Sequence, residues 1–131
     1  MATLSLSFTF TAPPDTVWAL AGDFAGLHHW HPWVGDCRMD PDGRTRRIGQ
    51  GALEAVEVLE SRTESEMTYT VQKSPMPIRD YRCTWRVHGD ATSSVVTVEA
   101  TYLPDGVPEE VASGMLSGFF TEAFSAIAAR V

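Results

Sequence analysis

Residues 4–11 alternate without a break: Leu4, Leu6, Phe8 and Phe10 fall on one side, Ser5, Ser7, Thr9 and Thr11 on the other. A period of two predicts a strand with one face in the core and one in water. Ala12, Pro13, Pro14 and Asp15 then stop the strand and open a helix. Proline fits the first helical turn, where its missing N–H is no loss, and Asp15 favours the positive helix end. Val17, Leu20, Ala21 and Phe24 follow at helical spacing, but Gly22 and Gly26 weaken the run. Two short helices are therefore expected, at about 13–22 and 26–31, with Pro32 ending the second.

Strand and turn signals fill the middle of the chain. Pro41, Asp42 and Gly43 form a turn, since proline presets one torsion and glycine supplies another that other residues resist. Strands are expected at 52–60, 66–72, 81–88 and 94–103. Met67, Tyr69 and Val71 alternate with polar residues; so do Tyr81, Cys83, Trp85 and Val87, and Val96, Val98, Ala100 and Tyr102. This is the pattern of an antiparallel sheet with one wet face. His88, Gly89 and Asp90 are expected in a hairpin loop.

Pro104, Asp105 and Gly106 close the last strand, and a helix is expected from about 108 to 130. Its apolar positions run from Val111 and Ala112 to Ile127 and cover well over half of the circumference. A flat sheet cannot bury so wide a face, whereas a curved one can. The expected architecture is α+β: a curved antiparallel sheet of about six to seven strands around the C-terminal helix, with two short helices after the first strand. Residues 1–131 make a single domain, a length that buries roughly two-thirds of the unfolded surface. A sheet curved around a helix rarely closes on it fully, and the gap becomes a small-molecule cavity.

Composition narrows the partner more than the fold. Ten Lys and Arg stand against 17 Asp and Glu, a net charge of −7. That argues against nucleic acid, whose affinity is carried by Lys and Arg. Arg44, Arg46 and Arg47 lie near a glycine and are expected to be solvated. The opening MATLSLSFTF reads as a strand rather than a signal peptide, and no apolar run approaches the ~18 residues of a membrane span. A cytoplasmic monomer or homodimer is the expectation. Cys37 and Cys83 make no disulfide framework and are expected as buried or half-buried thiols. No Ser/His/Asp constellation, phosphate loop or dinucleotide glycine motif is present, and no cofactor is expected.

Several stretches together carry a family resemblance. The run Ala12-Pro13-Pro14-Asp15-Thr16-Val17-Trp18-Ala19-Leu20 is continued by Asp23-Phe24 and Trp30-His31-Pro32. Glu54 follows Gly49 by five residues, and Pro75 to Tyr81, Ser94 to Val96 and Tyr102 to Pro104 come later in order. The set resembles the START/polyketide cyclase superfamily, which includes the birch-pollen-type allergens, and within it the bacterial polyketide cyclase/dehydrase-like branch. The resemblance implies a helix-grip fold and an internal ligand cavity. At Val98 the chain departs from the Trp of many bacterial relatives.

The resemblance also implies a strand Glu that points into the cavity. Spacing from Gly49 makes it Glu54, and the following Val-Leu pattern makes it Glu57. Three apart in a strand, the two face opposite sides, so only one looks inward. Glu54 is preferred, with Glu57 the alternative acid. A carboxylate in an apolar pocket has a raised pKa, which suits proton transfer.

Among His28, His29 and His31, no metal site is expected, because closed sites draw ligands from separated elements. His31 shares a helical face with Leu27 and Trp30 and is expected to border the cavity as a proton donor or acceptor. Trp30, Tyr69, Tyr81, Trp85, Tyr102, Phe119 and Phe120, with Met115, are expected as its walls. Arg79 is expected at the mouth, as an anchor for a carboxylate or phenolate. The walls would thus run from Trp30 through Glu54 and Tyr81 to the Phe119 face of the helix.

Two functions fit. The first is binding of a small lipophilic or aromatic molecule, in a carrier or sensor role. The alternative is a cyclase/dehydratase-type enzyme in which Glu54 moves a proton and His31 or a tyrosine steadies an enolate.

Overall fold

A computed structural model describes residues 1–131. Strand β1 (Ala2–Phe10) leads into helix α1 (Pro14–Ala21) and a 3₁₀ segment, Phe24–His29. Two short strands follow, β2 (Cys37–Met39) and β3 (Thr45–Ile48), joined across the Pro41–Gly43 turn. A single 3₁₀ turn at Gly51–Leu53 precedes β4 (Ala55–Arg62), β5 (Glu66–Lys73), β6 (Ile78–Gly89) and β7 (Ser94–Pro104). Helix α2 (Glu109–Ala128) ends the order. The seven strands form one open antiparallel sheet in the order β1-β7-β6-β5-β4-β3-β2. With α2 this is the α+β helix-grip arrangement.

The alternation seen in the sequence becomes rows of inward side chains. Leu6 pairs with Val98, Val98 with Trp85, and Trp85 with Met67. The outer face carries ion pairs instead, Arg82 with Glu60 and Arg86 with both Glu66 and Glu99. Register slips twice between β4 and β5 and once between β6 and β7. Such bulges bend a strand and increase its twist. The third sits at Asp80, whose φ of 51° is left-handed, a region that Asp tolerates better than most residues.

Helix α2 packs on β1, β7 and α1. Phe120 meets Trp85 edge-on at 5.7 Å, and Phe124 stacks on Phe8 at 5.7 Å. Its buried side is a stripe of Ala112, Leu116, Phe120, Ala123, Phe124 and Ile127. This is narrower than the sequence predicts, because Val111 and Met115 face outward and are 44% and 43% exposed. Contrary to the expectation from hydropathy, α2 is long and apolar enough to cross a membrane by length and composition. Here its stripe forms the core.

Other boundaries also differ from expectation. The second helix is 3₁₀ and starts at Phe24, and Gly26 within it sits against Asp23, where a Cβ would lie 2.1 Å from the carboxylate. The strand expected at 52–60 begins only at Ala55, and His88 lies within β6 rather than in a loop.

Candidate functional site

Because α2 rests on the β1–β7 side of the sheet, the inner face toward β3 is left partly open. There a cavity of about 490 Å³ lies between the strands and α2. Ile48, Ala55, Val71 and Ile78 supply its sheet wall, and Leu116 and Phe119 its helix wall. Loops at 33–35, 49–53 and 74–76 form the remaining border. Two apolar side chains there are strongly exposed, Trp33 at 55% and Leu53 at 73%. Gly49 allows its loop to fold in: φ is +76°, and a Cβ would lie 2.8 Å from the Leu53 carbonyl oxygen.

The charged group of the cavity is Glu57. It belongs to a row that crosses four strands, Arg46–Glu57–Val71–Tyr81, every member paired with the next. Arg46 is not solvated as the sequence suggests; it is 4% exposed. The regular alternation of β3 turns it inward, opposite Glu57. Its Nε and one terminal nitrogen both approach Glu57 Oε1, at 2.7 and 2.6 Å, and the other donates to the Phe24 carbonyl at 2.9 Å. The guanidinium also lies 4.0 Å from the Phe24 ring centre and 4.9 Å from that of Tyr69. Burial opposes its charge, yet the Arg46 pKa lies above the usual value, with the Glu57 carboxylate first among the groups that raise it.

Two tyrosines complete the polar inventory. Tyr69 and Tyr81 both line the cavity, and burial holds both phenols well above their usual range, so each keeps its proton. The Tyr69 oxygen accepts a hydrogen bond from Trp85 Nε1 at 3.2 Å. Cys83 is free, and burial pushes its thiol up to about 12, which leaves it unreactive. Cys37 is free and half-buried.

Several residues expected at the cavity lie elsewhere. Glu54 precedes β4 and is held outside by Arg38, Arg47 and Lys73. The preferred acid is thereby corrected: between the two glutamates, Glu57 lines the cavity and Glu54 does not. His31 is 2% exposed and has both ring nitrogens engaged. Nδ1 accepts the Trp33 backbone N–H at 3.1 Å, so Nε2 carries the proton and donates to the Phe119 carbonyl at 2.9 Å. The ring stacks on Phe119 at 4.2 Å. His31 thus ties the border loop to α2 and offers no free nitrogen for proton transfer.

Trp30 and Trp85 border a separate void of about 10 Å³ behind Tyr69 and Phe119. Tyr102 and Phe120 are buried in the core, Met115 faces outward, and Arg79 is exposed beside Asp80. From the expected wall, Tyr69, Tyr81 and Phe119 come together with Glu57. No three His, Cys, Asp or Glu side chains converge on a metal-sized site.

Sequence reasoning missed Arg46, Ile48 and Trp33. The first two carried a signal: Arg46 and Ile48 are two apart on a short strand after a turn, and therefore share a face. Trp33 carried none beyond its size.

The fold and the site define a START-type helix-grip protein, and the comparisons agree. Residues 1–131 match the family described as polyketide cyclase/dehydrase and lipid transport, and the chain belongs to that family. It is similar to the protein XoxI from Bacillus cereus, at 25% identity and a TM-score of 0.91, covering 99% of this chain and 95% of that one. A solution structure from Thermobifida fusca is 34% identical with a TM-score of 0.79, covering 99% and 93% of the two chains. An aromatase/cyclase from Streptomyces shares the fold at 14% identity, with a TM-score of 0.71 over 98% and 92%. No curated protein matches the chain.

Proposed function

We propose that this protein binds a small lipophilic or aromatic molecule in the cavity between its sheet and α2, as a carrier or sensor. The observation that carries this reading is the cavity itself. Twelve of its 18 lining residues are hydrophobic, an apolar wall with few polar groups that is typical of small-molecule sites. Its volume also falls within the ~300–1,000 Å³ usual for such sites. Filling it with apolar atoms removes that wall from water, worth roughly 25 cal/mol per Å². The family description, which includes lipid transport, supports the same reading.

Titration with the neutral fluorophore 1-aminoanthracene tests it. The expected result is a saturable rise in emission, weakened at least tenfold in an Ala55→Trp variant that retains its circular dichroism and melting temperature. Ala55 lines the cavity, so the indole fills space that the probe needs. Emission that never saturates, or an unchanged affinity in the folded variant, would sink the proposal.

The cyclase or dehydratase alternative loses both residues first assigned to it, since neither Glu54 nor His31 lines the cavity. It would depend on Glu57, a carboxylate already committed to Arg46 through one oxygen, with Tyr69 or Tyr81 to steady an enolate. No feature of the geometry favours it over binding.

A further inference from the structure

The polar groups of the cavity are few enough to specify what they accept. Both Arg46 contacts fall on Glu57 Oε1. Glu57 Oε2 has no partner in the protein and is not among the polar atoms sealed from solvent. The Tyr81 hydroxyl, whose one side-chain neighbour for a hydrogen bond is the weakly accepting Cys83 thiol, is likewise not among the sealed, unpartnered atoms. Glu57 and Tyr81 stand on β4 and β6, in one row with Val71 between them on β5. Adjacent strands lie about 4.8 Å apart, which places the two backbones about 10 Å from each other across the apolar Val71. Both side chains reach inward from these positions and line the same cavity.

The charge of this pair of groups matters as much as its spacing. Arg46 already neutralises Glu57 from the buried side. A ligand cation would therefore be desolvated without a net charge to compensate it, and a ligand anion would meet the free carboxylate oxygen. Glu57 Oε2 can only accept a hydrogen bond, whereas the protonated Tyr81 hydroxyl can donate one. A hydroxyl group both donates and accepts, and so satisfies the two at once. A ketone or ether satisfies only Tyr81, and an ammonium has nothing to accept with.

We propose that the cavity selects neutral alcohols or phenols, whose hydroxyl donates to Glu57 Oε2 and accepts from Tyr81 while the hydrocarbon body fills the apolar remainder. This inference rests on the reading of the cavity as a ligand site and deepens it. Its further consequence is that Arg46 sets the specificity without touching the ligand: by occupying Oε1 it fixes which oxygen is presented and cancels the charge that would attract amines.

Competition against 1-aminoanthracene with four probes of one ring system tests the inference: 2-naphthol, 2-methoxynaphthalene, 2-naphthoate and 2-naphthylmethylammonium. At pH 7, 2-naphthol is expected to bind at least tenfold more tightly than each of the others. In Tyr81→Phe both 2-naphthol and 2-methoxynaphthalene should bind at least threefold more weakly, since each accepts from Tyr81, while the advantage of 2-naphthol persists. In Glu57→Gln it should vanish or reverse, because Arg46 retains the amide oxygen and turns the amide N–H₂ toward the cavity, where it favours an acceptor. Tyr81→Phe keeps the test decisive if Glu57→Gln fails to fold. Equal affinity for 2-naphthol and 2-methoxynaphthalene, or tighter binding of the ammonium or naphthoate, overturns the hydroxyl assignment while leaving the cavity as a binding site. Failure of the fluorophore and all four probes to bind overturns both.

Discussion

At the scale of single residues, the Arg46–Glu57 pair has the largest energetic consequence. The two side chains are 5% and 14% exposed, so removing one leaves the other as an unpaired charge in a poorly solvated place. Loss of one partner of a buried pair typically costs about 3–5 kcal/mol, whereas replacing both by apolar groups is often neutral. Arg46→Met is therefore expected to lower the urea-unfolding free energy by about 3 kcal/mol, and Arg46→Met with Glu57→Met to recover most of that loss. A double variant as unstable as the sum of its singles would show that the pair does not act as a unit.

His31 makes a different residue-scale prediction. Burial lowers its pKa below 6.5, against the raising effects of the Phe119 carbonyl and Glu122. Its Nδ1 must stay unprotonated to accept the Trp33 N–H. Between the folded pKa and 6.5 the unfolded chain binds more protons than the native one, so stability rises with pH in that window. The contribution is fully present above about 6.5 and is lost as pH falls toward the folded value. Urea midpoints measured from pH 7.5 down to 5 should fall more steeply for the native protein than for His31→Gln. Parallel curves would remove His31 as the titrating group.

At the scale of elements, α2 shows how an apolar sequence and a buried face can differ. Its apolar positions cover more of the helix than the sheet does, because the strands that touch it lie at one side, β1 and β7. Phe120, 1% exposed and packed on Trp85, belongs to the core; Met115, five residues earlier, does not. Phe120→Ala should cost about 3–5 kcal/mol, and Met115→Ala should stay within about 0.5 kcal/mol. Thermal melts of the two variants decide it, and comparable losses would mean that α2 is wrapped more fully than described. The same offset of α2 explains the cavity, since Leu116 and Phe119 face strands that no helix covers.

At the scale of the whole molecule, the fold was legible and the site was only partly so. The strands at residues 66–72, 81–88 and 94–103 have a strict period of two, long enough to outweigh any competing pattern, and all three form near their expected bounds. β2 and β3 are three and four residues long, too short for alternation to stand out, and only the turn between them gave a sign. Tyr69, Tyr81 and Phe119 were expected at the cavity and line it. Glu54 was misplaced because a 3₁₀ turn at Gly51–Leu53 delays the strand, shifting which glutamate is in phase with the inner face.

The amino-acid order by itself determined the longer strands and their inner faces, since periodicity is a local property that backbone geometry enforces. It also limited inward orientation to one of the two glutamates. What only the tertiary structure decided depends on partners distant along the chain. Arg46 became a buried cation rather than a solvated one because β3 pairs with β4. His31 became a tie between a loop and α2 because the carbonyl of Phe119, 88 residues away, accepts its hydrogen bond. The cavity exists because α2 settled on one side of the sheet, a choice made by packing between elements and written in no single stretch of sequence.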